Sequence, residues 1–461
     1  MSDRCPACPG KYKCVPFMGP CTSSYKFIGE APGWEEERKG ECFVGKTGKE
    51  VDNGYLPLAG LRRGNIRIGN AIGCLPDTSE HKLDLKKPAH RELLYTCAGH
   101  RLYPELQQYP ASLIIPMGAF ACHAIDPDIN LELHHGMPLQ TKWGWTFPMY
   151  HPAGGIHEPK KMLQIRTDWY RLRQYINGRL QLGFDEYAGL EDYAESITSS
   201  DVHRDLDGEA DQPLACDTEF TRKRLAFCLS YTTRAGRGRL IRAENKLALA
   251  AFQEHLDIWE GDILWHNWMA DYPITKQMGL RFPKHKIIDT MVRAFNLGNI
   301  PQGLKALAFR ELGMEMMDFD DVVAPHSTRR VLAYYGDAAR EDWPKPEPVR
   351  ERQKDGSWKD KQPHSMKTKL KTFFTKYEKD PSINIFEQWT KNWVDSHQMI
   401  EKRMGEWPGK CITHAAEDDW EKVKHYACRD ADALRRLRDV LMHMESRIRK
   451  GLQETWREVA A

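Results

Sequence analysis

The residues best suited to chemistry in this 461-residue chain are acidic, and they come at three spacings. LACDTEF carries Asp217 and Glu219, LWHNWMADYPI carries Asn267 and Asp271, and HYACRDADALRRL carries Tyr426 and Asp430. Side chains two apart share one face of a strand, which suits Asp217 and Glu219. Side chains four apart share one face of a helix, which suits Tyr426 and Asp430. Asn267 and Asp271 repeat that offset where the apolar run DILWH passes into an amphipathic stretch. Four carboxylates gathered from three segments, Asp217, Glu219, Asp271 and Asp430, can hold two divalent metals about 3.5–4 Å apart and so clamp the attacking and leaving oxygens of a phosphodiester.

Asp-x-Glu after an apolar strand, Asn-x-x-x-Asp near the middle and Tyr-x-x-x-Asp in a late helix, in that order, resemble the DEDD-type 3′–5′ exonucleases of the tyrosine subclass. Within that group the likeness is to the proofreading domain of DNA polymerase I. KIIDTMVRAFNL, GLKALAFRELGMEM and the long charged helix around the third motif agree with it, and the resemblance covers residues 190–450 with one large interruption. It implies an RNase H-like domain with a mixed sheet. It also implies two Mg²⁺ or Mn²⁺ on Asp217, Glu219, Asp271 and Asp430, with Tyr426 orienting the attacking water.

The first part of the chain carries a different chemistry. Cys5, Cys8, Cys14 and Cys21 stand close together in CPACPGKYKCVPFMGPC, with no apolar signal-peptide core ahead of them. No stretch is long and apolar enough to span a membrane. A reducing compartment is therefore expected, and clustered cysteines there point to metal rather than to disulfides. A CxxC pair alone reads equally well as zinc or iron–sulfur. Cys42, Cys122, Cys216, Cys228, Cys411 and Cys428 have the neighbours of ordinary buried positions.

SSYKFIGEAPGWEEERKGECFVGKTG, NIRIGNAIGCLP and MYHPAGG together resemble the three motifs of the family-four uracil-DNA glycosylases, over residues 1–178. That resemblance implies a four-iron, four-sulfur cluster on Cys5, Cys8, Cys74 and Cys97, the last expected to begin a helix. Cys14 and Cys21 are then spare thiols, or one of them replaces a family ligand. The resemblance further implies that Phe43 stacks on a flipped uracil and that Asn70 reads its polar edge. His151 would stabilise charge on the departing base, Glu30 would position or activate water, and the backbone of Ala31, Pro32 and Gly33 would shape the pocket. Two departures stand out. Cys42 replaces a proline before Phe43, and His-Pro-Ala-Gly-Gly replaces a typical His-Pro-Ser, which leaves the loop that would wedge DNA without a hydroxyl and open to flexibility. They leave room for a non-cleaving reader of uracil or of a modified base that steers the nuclease.

The elements that must position these residues are legible as patterns. YKFIG, NIRIGNAI, SLIIPMG and WTFPMYH are apolar runs alternating with helical or loop segments, the mark of a parallel sheet covered by helices. Ligands of such α/β sheets bind at the carboxyl ends of the strands, where Glu30, Asn70 and His151 fall. Residues 179–212 turn acidic and polar and form a linker and lead-in with a short strand and helix, and the exonuclease domain is expected over residues 190–461. Residues 320–415 form an insertion, in which EDWPKPEPVRERQKDGSWKDKQPH reads as exposed or disordered and the Lys-, Phe- and Trp-bearing stretch after it as a helical subdomain with core aromatics.

The net charge of +2 excludes a bulk polycation, so any DNA surface must be local; RLRQYINGR, TRKRLAF, RAGRGRLIR and KTKLKTFFTKYEK are the basic stretches available. The sequence thus points to a two-domain α/β hydrolase of DNA replication or repair. It acts on single strands, 3′ ends or uracil-containing DNA, in the cytoplasm of a bacterium or a phage-infected cell. With no polymerase palm after the third motif, it could serve a separate polymerase that lacks proofreading.

Overall fold

The computed structural model describes residues 14–76, 83–158, 161–180, 182–297, 301–343, 349–352, 358–361, 365–379, 381, 385–386 and 394–460. The chain forms two compact units, one of residues 1–186, 291–315 and 440–461, the other of residues 187–290 and 316–439.

In the first unit, β1 (Tyr25–Gly29), β2 (Arg67–Asn70), β3 (Leu113–Pro116), β4 (Leu139–Thr141) and β5 (Gly144–Thr146) form one sheet in the order β2-β1-β3-β5-β4. The first four strands in that order run parallel; β4 adds an antiparallel edge through the turn to β5. The parallel strands fit the expected apolar runs. The hairpin edge was not expected, because LQT carries no apolar periodicity. Both faces are covered, which is why the central strands read as continuous apolar runs. Phe27 packs on Trp169 of the Met162–Ile176 helix on one face, rings 5.4 Å apart. Ile28 packs with Leu94, Leu102 and Phe120 on the other. Register pairs Gly29 with Asn70 and Ile28 with Pro116, so the carboxyl ends of β1, β2 and β3 lie side by side.

The Leu304–Leu312 helix, whose sequence looked like part of the exonuclease, packs in this unit against the short Leu131–His134 helix. Arg310 is 2 % exposed and donates to the His135 carbonyl at 2.7 Å. His135 in turn meets the fully buried carboxylate of Asp168 at 2.7 Å. Asp168 also accepts the backbone N–H of Tyr150, next to His151.

In the second unit, β6 (Asp192–Glu195), β7 (Leu214–Phe220), β8 (Ala226–Thr232), β9 (Arg237–Arg242), β10 (Ile263–Trp265) and β11 (Ile287–Asp289) form a sheet in the order β11-β10-β7-β8-β9-β6. β7, β8 and β9 are antiparallel neighbours; β10 and β11 run parallel to β7, and β6 parallel to β9. Leu214 and Cys216 of β7 face a core with Val202, Leu206, Ala248, Phe252 and Leu256 from the Ser199–Leu206 and Lys246–Asp257 helices. By strand alternation Asp217 and Glu219 face the opposite side. There Ala427 and Cys428 of the Trp420–Ala460 helix pack on Cys228 and Leu240.

Within 320–415 the chain is mainly helical, as expected, with helices Phe319–Arg340, Met366–Lys379, Val394–Met404 and Ile412–Asp418. Phe373 and Tyr335 are core residues there. The charged stretch expected to be exposed or disordered contains an antiparallel pair, β12 (Val349–Arg352) and β13 (Trp358–Lys361).

Candidate functional site

At the carboxyl edge of the first sheet lies a cavity of about 330 Å³, within the span of about 300–1,000 Å³ typical of small-molecule sites. Ala31, Gly33, Phe43, Asn70 and His151 line it together with Trp34, Glu36, Lys46 and Gly48. Five of the residues singled out in the sequence thus converge. Glu30 follows β1 at the same edge, and Pro32 is buried beside it, but neither lines the cavity.

Phe43 sits in the left-handed region at φ 54°, which is unfavourable for a bulky residue and is held only when the surroundings over-determine it. They do so here. The Phe43 N–H donates to the Glu36 carboxylate, which also takes the Gly33 N–H at 2.6 Å. Burial pushes the Glu36 carboxyl up, against the pull of those N–H groups. Glu36 was not anticipated, although a glutamate three residues into a helix after Gly33 is a capping-box signal. Two glycines are obligatory at this point. A Cβ on Gly48 would fall 1.8 Å from the Phe43 carbonyl oxygen, and one on Gly29 would fall 2.3 Å from Asn70 Oδ1 and 2.6 Å from Phe43 Cζ.

Asn70 is buried and its Nδ2 has no partner among the described residues, leaving two donors facing a cavity. The His151 ring stands 6.0 Å from that of Phe43. Its Nδ1 accepts the Ala153 N–H at 3.2 Å, which leaves the proton on Nε2. Burial pushes His151 down to about 4, so the ring is neutral at pH 7. The Ala-Gly-Gly run after His-Pro, expected to leave a flexible loop, is the start of the Ala153–His157 helix. Cys42 is buried, donates to the Pro16 carbonyl at 3.0 Å, and is pushed up to about 12 by burial.

Of the expected cluster ligands, Cys5 and Cys8 lie outside the described residues. Cys97 is buried and Cys74 half-buried against the same core. Cys97 does not begin a helix: it ends Pro88–Cys97, which continues through a π-turn, Ala98–Leu102, into Tyr103–Gln108. Its Sγ accepts the Gly73 N–H at 3.1 Å. The Arg101 guanidinium lies so close over Gly73 that a Cβ there would collide with it, and its buried Nη1 has no partner among the described residues. Soft thiol donors, an N–H aimed at sulfur and an unspent cation fit an anionic iron–thiolate group. The Val15 N–H bonds the Gly73 carbonyl at 2.8 Å, which brings the segment of Cys14 against that of Cys74. Cys21 is exposed, and Cys411 is only half-buried rather than buried as expected.

In the second unit, ligand atoms of Asp217, Glu219 and Asp430 all lie within 4.8 Å of one another, a donor set that fits a hard divalent cation. Tyr426 is 7 % exposed; burial, then Glu219 and Asp430, push its phenol far up, so it remains a donor. Asp271 is not part of that trio. The pairing of β7 with β10 ends at Ala215, and Asp271 takes the next open N–H, that of Thr218, at 3.2 Å, and its Oγ1–H at 2.5 Å. Burial, opposed by these bonds and aided by Asp289, pushes Asp271 up to about 6. Asn267 is a turn residue at φ 68°; its N–H and that of Trp268 bond Asp289 at 3.1 and 2.9 Å. Asp289, the acid in KIIDTM, was not anticipated as part of this site.

Residues 16–173 match the uracil DNA glycosylase superfamily. A type-4 uracil-DNA glycosylase of Pyrobaculum aerophilum is 35 % identical over 195 residues, which is 40 % of this chain and 92 % of that protein. One from Archaeoglobus fulgidus is 28 % identical over 37 % of this chain and 86 % of its own length, and one from Saccharolobus solfataricus 25 % identical over 36 % and 77 %. The matched stretch contains β1 to β5, the cavity, and Cys74 and Cys97. Through this part, the chain belongs to the uracil-DNA glycosylase superfamily, alongside relatives of the type-4 class.

Proposed function

We propose that the first unit removes uracil from DNA by hydrolysing its N-glycosidic bond and that the second is a 3′–5′ exonuclease of the DEDD type. The first reading is carried by the convergence of Phe43, Asn70 and His151 on one cavity in a chain of this superfamily. A flipped uracil would stack on Phe43, whose ring is fixed by its strained, over-bonded backbone. The Asn70 amide offers a donor to uracil O4 and an acceptor to its N3–H. As the bond between base and sugar breaks, its electron pair moves onto uracil, and the neutral His151 Nε2–H donates to the O2 that takes up charge. Water then adds to the sugar carbon and leaves an abasic site. Glu30 is assigned to that water by its place after β1. The cluster on Cys74 and Cys97, with Cys5 and Cys8 as its expected partners, ties the N-terminal segment to the sheet.

The exonuclease reading is carried by the Asp217–Glu219–Asp430 trio beside a protonated Tyr426. The strand order β11-β10-β7-β8-β9, with three antiparallel strands flanked by two parallel ones, agrees with an RNase H-like domain. A divalent cation bound there supplies Lewis-acid polarisation of the scissile phosphate. Tyr426 O–H orients the attacking water. Asp271, expected as the fourth ligand, would hold a second cation only if it gave up its bonds to Thr218.

One substrate tests both readings: a 5′-labelled single strand with one internal uracil, incubated with the protein in EDTA and in Mn²⁺. Alkali-sensitive cleavage at uracil in EDTA and a Mn²⁺-dependent 3′ ladder are expected. An intact strand in EDTA beside a Mn²⁺ ladder would replace the first reading by a DNA-reading domain coupled to a nuclease.

A further inference from the structure

On the face of the second sheet opposite Asp217 and Glu219, the Ser199–Leu206 and Lys246–Asp257 helices bring two histidines and an aspartate together. His203 and Asp207 stand one turn apart, where the first helix ends. His255 comes from the second helix. Ligand atoms of all three lie within 4.8 Å of one another. His203 Nδ1 is 3.1 Å from His255 Nε2, and His255 Nε2 is 3.7 Å from Asp207 Oδ1. Ligands about 2.0–2.1 Å from a tetrahedral zinc ion stand about 3.3 Å apart, so these spacings match the edges of such a tetrahedron.

We infer that His203, Asp207 and His255 form a binding site for a zinc-class transition-metal ion that clips the two helices together. Two imidazoles and one carboxylate suit borderline metals rather than the hard cations expected across the sheet. Glu254 Oε2 lies 3.9 Å from His203 Nε2, within ion-pair reach but beyond a hydrogen bond, while His203 Nδ1 faces His255. A shared proton between the two rings would account for the 3.1 Å contact alone. It would not require Asp207, which stands at the solvent edge with nothing else in these contacts to hold it.

The full chain, purified with its cluster and kept in excess Mg²⁺ to occupy hard-oxygen sites, is dialysed against zinc and counted for bound metal beside His203→Gln and Asp207→Asn. His203 is 39 % exposed and Asp207 more so, and equal melting temperatures in EDTA establish that both variants fold. The parent should bind one more equivalent of zinc than either variant and gain a zinc-dependent rise in melting temperature that they lack. Equal zinc counts across all forms, with the same melting shift, would overturn the site and assign any bound zinc to thiols or to the carboxylate trio.

Discussion

In the proposed glycosylase reaction Asn70 and His151 divide the work, and their electrostatics give separate expectations. Among the described residues Asn70 Nδ2 has no partner, so Asn70→Ala should fold normally yet lose about 100-fold in the rate of uracil release, the size of effect seen when one fixed donor is removed. Single-turnover assays with a melting curve on the same sample separate the two effects. His151 is neutral until about pH 4, so the rate should show no step for it between pH 6 and 8. Its depressed value also sets a sign for stability. The unfolded chain takes up a proton near pH 6.5 and the folded one only near 4, so stability is intact above about pH 6.5 and falls as the pH drops between these values. His151→Gln should flatten that part of a plot of melting temperature against pH. A rate that falls as the pH is raised through about 6.5 would instead assign a protonated imidazolium.

At the scale of elements, the sequence was most legible where one period ruled. The apolar runs YKFIG, NIRIGNAI and WTFPMYH lead to Glu30, Asn70 and His151, and Asp217 and Glu219 share a face because β7 is a strand. What escaped was set by contacts distant in sequence. Glu36 matters only because Phe43 adopts φ 54° seven residues later, and Asp271 sits on Thr218 because β10 is short. Nor could a motif read as nuclease announce that Leu304–Leu312 packs with the glycosylase sheet; only the buried Arg310 and its partners reveal it. That burial carries its own prediction. Arg310→Met leaves the His135–Asp168 pair without its cation in a dry environment, and should cost the first unit about 3 kcal/mol. Urea unfolding followed by uracil-release activity would measure it. A fragment ending at residue 186 should be weakened likewise, since it lacks this helix altogether.

For the whole molecule, the two proposed chemistries would make opposite demands on metal, and this makes the proposals separable. The proposed glycosylase step would use a neutral imidazole, an amide and water, so chelation should leave it untouched. The proposed nuclease step would depend on a carboxylate trio whose chemistry needs a cation. Asp217→Ala should therefore abolish the Mn²⁺-dependent ladder, by about 1,000-fold or more, while leaving cleavage at uracil in EDTA unchanged. Cys97→Ala should do the reverse. With Gly73 and Arg101 left facing no thiolate, the protein should purify without brown colour and lose uracil release through unfolding of the first unit, yet keep its ladder. The decisive observation is the pair of variants on one uracil-bearing strand. Reciprocal loss means two independent active sites. Joint loss in Cys97→Ala, with the second unit still folded by its own melting transition, would mean that the nuclease depends on the glycosylase unit to engage its DNA.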